Sequence, residues 1–92
     1  MGHEQLEQLD KKLADARLKI EIGAIYFHYK HPEKYYLIEF VGVIEETEKI
    51  GVGYRALYDK GILWIRTLDN FLEEVETDTG KTPRFTKVLL EK

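Results

Sequence analysis

The chain has no cysteine, no serine and only two prolines. Without cysteine there is no disulfide, no thiolate metal site and no thiol nucleophile. Without serine the commonest hydroxyl nucleophile is missing too, and a Ser-His-Asp triad cannot be written. No apolar run approaches the roughly 18 residues of a membrane span, so no membrane partner is expected. The start of the chain carries Glu4, Glu7 and Asp10 where a secretory signal needs a basic start and an apolar run, which sets the expected location as cytoplasmic. Charge of one sign is also lacking: 14 basic and 17 acidic residues are mixed along the chain, for a net charge of -3. Phosphate-backbone binding draws its affinity from clustered Lys and Arg, so this balance disfavours a nucleic-acid partner.

What is there suits a folded domain. With 43% apolar residues in a chain of 92, one core is expected, and surface grooves rather than deep cavities. Leu6, Leu9, Leu13, Ala16 and Ile20 recur at spacings of three and four, which predicts an amphipathic helix over residues 3–20. Its acidic first turn (Glu4, Glu7), its basic last turn (Arg17, Lys19) and Gly23 just beyond agree with that direction and end. The spacing also admits a helix-mediated homodimer beside a monomer, although about two and a half heptads fall short of a coiled coil.

After Gly23 the period changes to two. Residues 24–30, 35–44, 50–58, 62–66 and 84–89 read as five strands. His31, Pro32 and Glu33 are expected to form the first turn, and Gly42 to bend the long second strand. Thr67 caps a short helical turn whose Leu68, Phe71, Leu72 and Val75 share a face. Between the third and fourth strands, a two-residue loop would oppose Arg55 to Arg66, a destabilising pair of like charges. A three-residue loop, Asp59 to Gly61, instead opposes Arg66 to Tyr54 and Trp64 to Ala56. The expected fold is mostly β: a small five-stranded antiparallel SH3-like barrel over 23–92, with an N-terminal amphipathic α-helix over 1–22.

Four pieces of sequence carry a family likeness: Tyr26 with His28-Tyr29-Lys30, Tyr54-Arg55-Ala56-Leu57-Tyr58, Leu63-Trp64-Ile65-Arg66 with Leu68 and Phe71 behind it, and Pro83-Arg84-Phe85. In this order and spacing, over roughly residues 23–88, the chain resembles the small bacterial domain-of-unknown-function family sixteen-fifty-three. The resemblance implies an SH3-like barrel and no assigned activity. Phe27 stands where that family usually has arginine, and His31-Pro32-Glu33 replaces a glycine turn.

Chemistry-bearing residues are few. His28 and His31 with Glu33 make only a fragment of a metal site, so no metal is expected. Gly51-Val52-Gly53 lacks the third glycine and the lysine of a phosphate loop, and no cofactor is expected. Glu45, Glu46 and Glu48 read as a solvated loop. Tyr26, His28, Tyr54, Tyr58, Trp64, Arg66 and Arg84 remain: large groups with a polar or cationic end, of the kind enriched at binding anchors. Arg66 and Arg84 can hold a carboxylate or phosphate in bidentate fashion. The expectation is a non-enzymatic interaction module with a peptide or protein partner. The competing classes are an accessory nucleic-acid-binding barrel and a small enzyme.

Overall fold

The computed structural model describes residues 6–89. Helix α1 runs from Leu6 to Lys19; the expected start at residue 3, with Glu4, lies outside the described residues. Of its apolar stripe, Ala16 and the following Ile20 are buried and Leu13 packs against them, whereas Leu6 is 79% exposed. The stripe covers the sheet only along its C-terminal half. Gly23 then turns the chain at φ 91°, a conformation that costs a residue without a Cβ little, and its N–H donates to the Ile38 carbonyl at 2.8 Å.

The strands are β1 (Ile25–His28), β2 (His31–Val43), β3 (Ile50–Ala56), β4 (Leu63–Thr67), β5 (Glu74–Thr77), β6 (Gly80–Pro83) and β7 (Phe85–Lys87), with helix α2 (Leu68–Leu72) between β4 and β5. Five of them form one antiparallel sheet in the order β4-β3-β2-β1-β7, and β5 and β6 form a separate hairpin. The sheet is not closed: among the described residues no ladder joins β4 to β7, so the barrel expected from the strand count is not formed by backbone pairing. The chain between these strands goes instead into α2 and the β5–β6 hairpin, and β7 pairs with β1.

Three local expectations are corrected. The β1–β2 turn is Tyr29-Lys30, not His31-Pro32-Glu33. Those three residues belong to β2, and the register shift beside His28 leaves residues 32–34 opposite no residue of β1. Proline is accommodated there because a bulge needs no ladder donor. The irregularity of β2 against β3 falls between Ile38 and Phe40 rather than at Gly42. Gly53 permits it, since a Cβ on Gly53 would lie 2.2 Å from the Phe40 ring. The helical turn ends at Leu72, and residues 74–83 leave it as a hairpin turned at Asp78-Thr79, with Gly80 at φ 116° opening β6.

The β3–β4 hairpin differs from the expected register by two residues. Tyr54 lies opposite Trp64 and Val52 opposite Arg66, and the Ala56 N–H donates to the Ile62 carbonyl at 2.9 Å. Residues 57–61 form the connection, with positive φ at Asp59 (51°) and Gly61 (66°). Arg55 still avoids Arg66, facing Leu63 while its guanidinium binds Glu39 at 2.6 Å and the Gly61 carbonyl at 2.9 Å. A slip of two residues preserves the side-chain face, so Tyr54, Trp64 and Arg66 share one face as expected.

The core joins helix and sheet: Ile20, Ile38, Val52 and Phe71 are fully buried. Phe71 of α2 stacks on Phe85 of β7 with ring centroids 4.1 Å apart, and Tyr26 and Tyr54 meet Phe71 edge-on, each at 5.4 Å. Edge-to-face contacts of this kind add about 0.5–1.5 kcal/mol per pair beyond area burial. No described helix is long and apolar enough to cross a membrane.

Candidate functional site

The aromatic cluster is buried at one end and open at the other. Alternation along β4 aims Trp64 and Arg66 to the face that carries Tyr54. Neighbouring strands bring Tyr36, paired with Tyr26 and Ala56, and His28, paired with Phe85. With Tyr58 from the β3–β4 connection, Lys30 from the β1–β2 turn and His31 from the start of β2, these side chains line a pocket of about 250 Å³. Every strand of the main sheet contributes to it.

Arg66 organises the floor. Its Nε donates to the Tyr54 hydroxyl at 2.7 Å, its Nη1 donates to the Asn70 side-chain carbonyl, and its guanidinium carbon lies 5.4 Å from the centre of the Phe85 ring. Both hydrogen-bond partners are neutral. Among the described residues no carboxylate pairs with Arg66, and none of the residues lining the pocket is acidic. Nε and one Nη1 hydrogen are committed, and the rest of the five-donor fork stays available for a ligand. An arginine oriented by neutral acceptors keeps its full charge for whatever enters.

The rest of the pocket is polar at its tips. The Tyr36 and Tyr58 hydroxyls lie 2.5 Å apart. Burial above all, and then this hydrogen bond, pushes the Tyr36 phenol far above its usual range, and burial likewise raises Tyr54 against the opposing pull of Arg66. Both hydroxyls are therefore protonated at neutral pH, and neither supplies a phenolate nucleophile. The Lys30 backbone N–H donates to Nδ1 of His28 at 3.2 Å, which leaves Nε2 to carry the proton of the neutral ring. His28 is held below its ordinary value, first by burial and then by Arg66, Arg84, Lys30 and His31. All four charged contributors are cationic or become so on protonation, which marks a positive field in a chain of net charge -3. Beside this pocket, Ala56, Asp59, Lys60 and Ile62 line a groove of about 550 Å³ that shares the Tyr58 and Trp64 side chains with it.

Of the residues singled out from sequence, His28, Tyr54, Tyr58, Trp64 and Arg66 converge here. Trp64 is 49% exposed and Tyr54 is buried. Two lie elsewhere. Tyr26 is a core residue packed on Phe71, its phenol held above its ordinary value first by burial. Arg84 is spent on structure: its Nη2 donates to Glu73 at 2.7 Å and its Nε to the Asn70 carbonyl at 3.1 Å, closing the C-terminal end of α2. Tyr36, Lys30 and Phe85 were not singled out, because their membership follows from the pairing of β2 with β1 and of β1 with β7, which local spacing does not encode. His31 sits at the rim, 3.8 Å from Glu33 with both side chains exposed, and the described residues hold no group of three His, Cys, Asp or Glu side chains arranged for a metal.

These features define a small antiparallel β module with a cationic, aromatic pocket. Residues 24–87 match the family described as a protein of unknown function, DUF1653, and the chain belongs to that family; α1 precedes the matched segment. The chain is similar to a DUF1653 protein of Bordetella bronchiseptica, whose crystal structure shares 30% sequence identity with it at a TM-score of 0.63, over 76% of this chain and 92% of that one. No curated protein matches the chain.

Proposed function

We propose that this protein is a non-enzymatic interaction module, its sheet an SH3-like barrel left open between β4 and β7, which binds a carboxylate-bearing segment of a peptide or protein in the Arg66 pocket. The observation that carries this reading is the charge arrangement. Arg66 is oriented by the neutral Tyr54 hydroxyl and Asn70 amide, in a pocket whose described lining includes His28, Lys30 and His31 and no acid. Such a site is electrostatically incomplete without an anion. The half-exposed Trp64 beside it supplies contact area of the kind used by binding anchors. The small volume suits one carboxylate and the first atoms behind it, not a large cofactor.

The test is a titration of the 15N-labelled protein with N-acetylglutamate methylamide, followed through the Trp64 indole N–H and the Arg66 Nε–H. Saturable shifts at both, reduced about tenfold or more in apparent affinity by Arg66→Gln and absent with the glutamine analogue, support the reading. Shifts spread over the surface lysines, or unchanged by Arg66→Gln, exclude it.

A further inference from the structure

We infer that the free edge of β4 is a strand-docking site, at which an extended peptide segment adds to the sheet antiparallel to β4 and delivers an acidic side chain to the Arg66 pocket. This inference rests on the pocket reading above and specifies how the ligand lies.

The hydrogen-bond phase of β4 is determined by one contact. The Ala56 N–H donates to the Ile62 carbonyl, so in the observed register Ile62, Trp64 and Arg66 are the residues whose backbones bond to β3. In an antiparallel ladder the alternate residues direct their N–H and C=O groups the other way. Leu63 and Ile65 therefore present theirs outward from the last strand of the sheet, where no described strand pairs with them. Arg66, which points to the pocket face, is the only charge on the strand, and the side chains next to the outward groups carry no other edge protection. Leu63, Trp64 and Ile65 are successive, apolar and exposed, with no charge, proline or bulge among them. An open edge of this kind is the template used in β-augmentation.

Charge selects the occupant. A residue of the added strand that lies opposite Trp64 points to the face shared by Trp64, Arg66 and His28, where the pocket holds cations and no described acid. A second copy of β4 would bring Leu-Trp-Ile-Arg-Thr, which adds a cation and no carboxylate. An acidic residue flanked by β-branched apolar residues fits both faces at once: the carboxylate toward Arg66, the flanking side chains over Leu63 and Ile65.

The probe is an acetylated, amidated peptide reading Thr-Val-Glu-Val-Thr, titrated into the labelled full chain. The expected result is saturable perturbation of the Leu63 and Ile65 amides together with the Arg66 side chain. A Gln-for-Glu peptide should bind about tenfold more weakly, and a peptide N-methylated at both valines should not bind, since it cannot donate to the edge. Ile65→Pro removes an outward N–H without touching the β3 ladder and should abolish binding of the Glu peptide while N-acetylglutamate methylamide still reaches Arg66. Equal binding of the methylated and unmethylated peptides overturns strand docking and leaves the pocket reading standing. Loss of the small-molecule response as well overturns the pocket. Concentration-dependent dimerisation in sedimentation, abolished by Ile65→Pro, would assign the edge to a second copy and overturn the acidic-peptide assignment.

Discussion

β4 ends the sheet on one side with Leu63, Trp64 and Ile65 exposed in a row, whereas β7 ends it on the other with three residues of which the first, Phe85, is buried and the last, Lys87, is paired to Glu21 at 2.5 Å. β7 is short, charged and anchored by an aromatic stack, the usual means of making an edge inert. β4 is longer, its first three residues are apolar, and its own Arg66 pairs with no carboxylate among the described residues. The protein thus places its stability at one edge and leaves the other unprotected. Exposed apolar surface beside a half-buried cation carries some risk of aggregation, which the proposed ligand would cover.

The largest effect expected from this contrast is on stability. Phe85→Ala should cost about 3–5 kcal/mol, because it removes a ring stacked on Phe71 and leaves a cavity in the core. Ile65→Thr on β4 should cost less than about 1 kcal/mol, since its side chain is already 60% exposed. Urea denaturation of the two variants measures the difference, and comparable losses would remove the distinction between the edges.

Arg66→Gln comes next, at about 1–2 kcal/mol, because the Tyr54 hydroxyl and the Asn70 amide lose their charged donor. If the variant proved more stable than the parent, Arg66 would be a site residue held at the expense of the fold, which sharpens the contrast further.

Alkali should act on the aromatic end of the sheet. Tyr26, Tyr36 and Tyr54 all have phenols raised above 10.0. Their contribution is fully present below pH 10 and is lost as pH rises past it, because the unfolded chain releases those protons first. Urea midpoints should fall above pH 10, less steeply in Tyr36→Phe. His28 works in the opposite sense. Its folded value lies below 6.5, so its contribution is present above 6.5 and declines as pH falls, when the unfolded chain takes up the proton first. His28→Gln should flatten the stability profile between pH 6.5 and the lowered folded value. The smallest effect belongs to Lys87→Val, which should leave the denaturation midpoint unchanged, its pair with Glu21 being exposed, while light scattering on storage rises as the β7 edge loses its charge.

Residue spacing was enough to read the α1 stripe, the turns at Gly23 and Gly61, the Thr67 cap and the shared face of Tyr54, Trp64 and Arg66. Each depends on neighbours within a few residues, or on a period that any correct structure must obey. A period of two is blind to a slip of two residues, so it set the face of the β3–β4 hairpin but not its register, and charge did not separate the two registers because both keep Arg55 away from Arg66. The strands β5 and β6 on either side of the turn at Asp78 and Thr79 were missed because Val75 also satisfied helical spacing after Phe71 and Leu72.

What only the tertiary structure decided is the order of the strands. The pairing of β7 with β1 sends Phe85 under Arg66 and leaves β4 at the edge. The pairing of β1 with β2 brings Tyr36 into the pocket and buries Tyr26 against Phe71. The same chemistry, tyrosine or arginine with a polar tip, became core at Tyr26, scaffold at Arg84 and pocket at Tyr54 and Arg66. Residue type and spacing are alike in these cases; the difference lies in which distant strand each one meets, and that follows from packing of the whole sheet around α1 and α2.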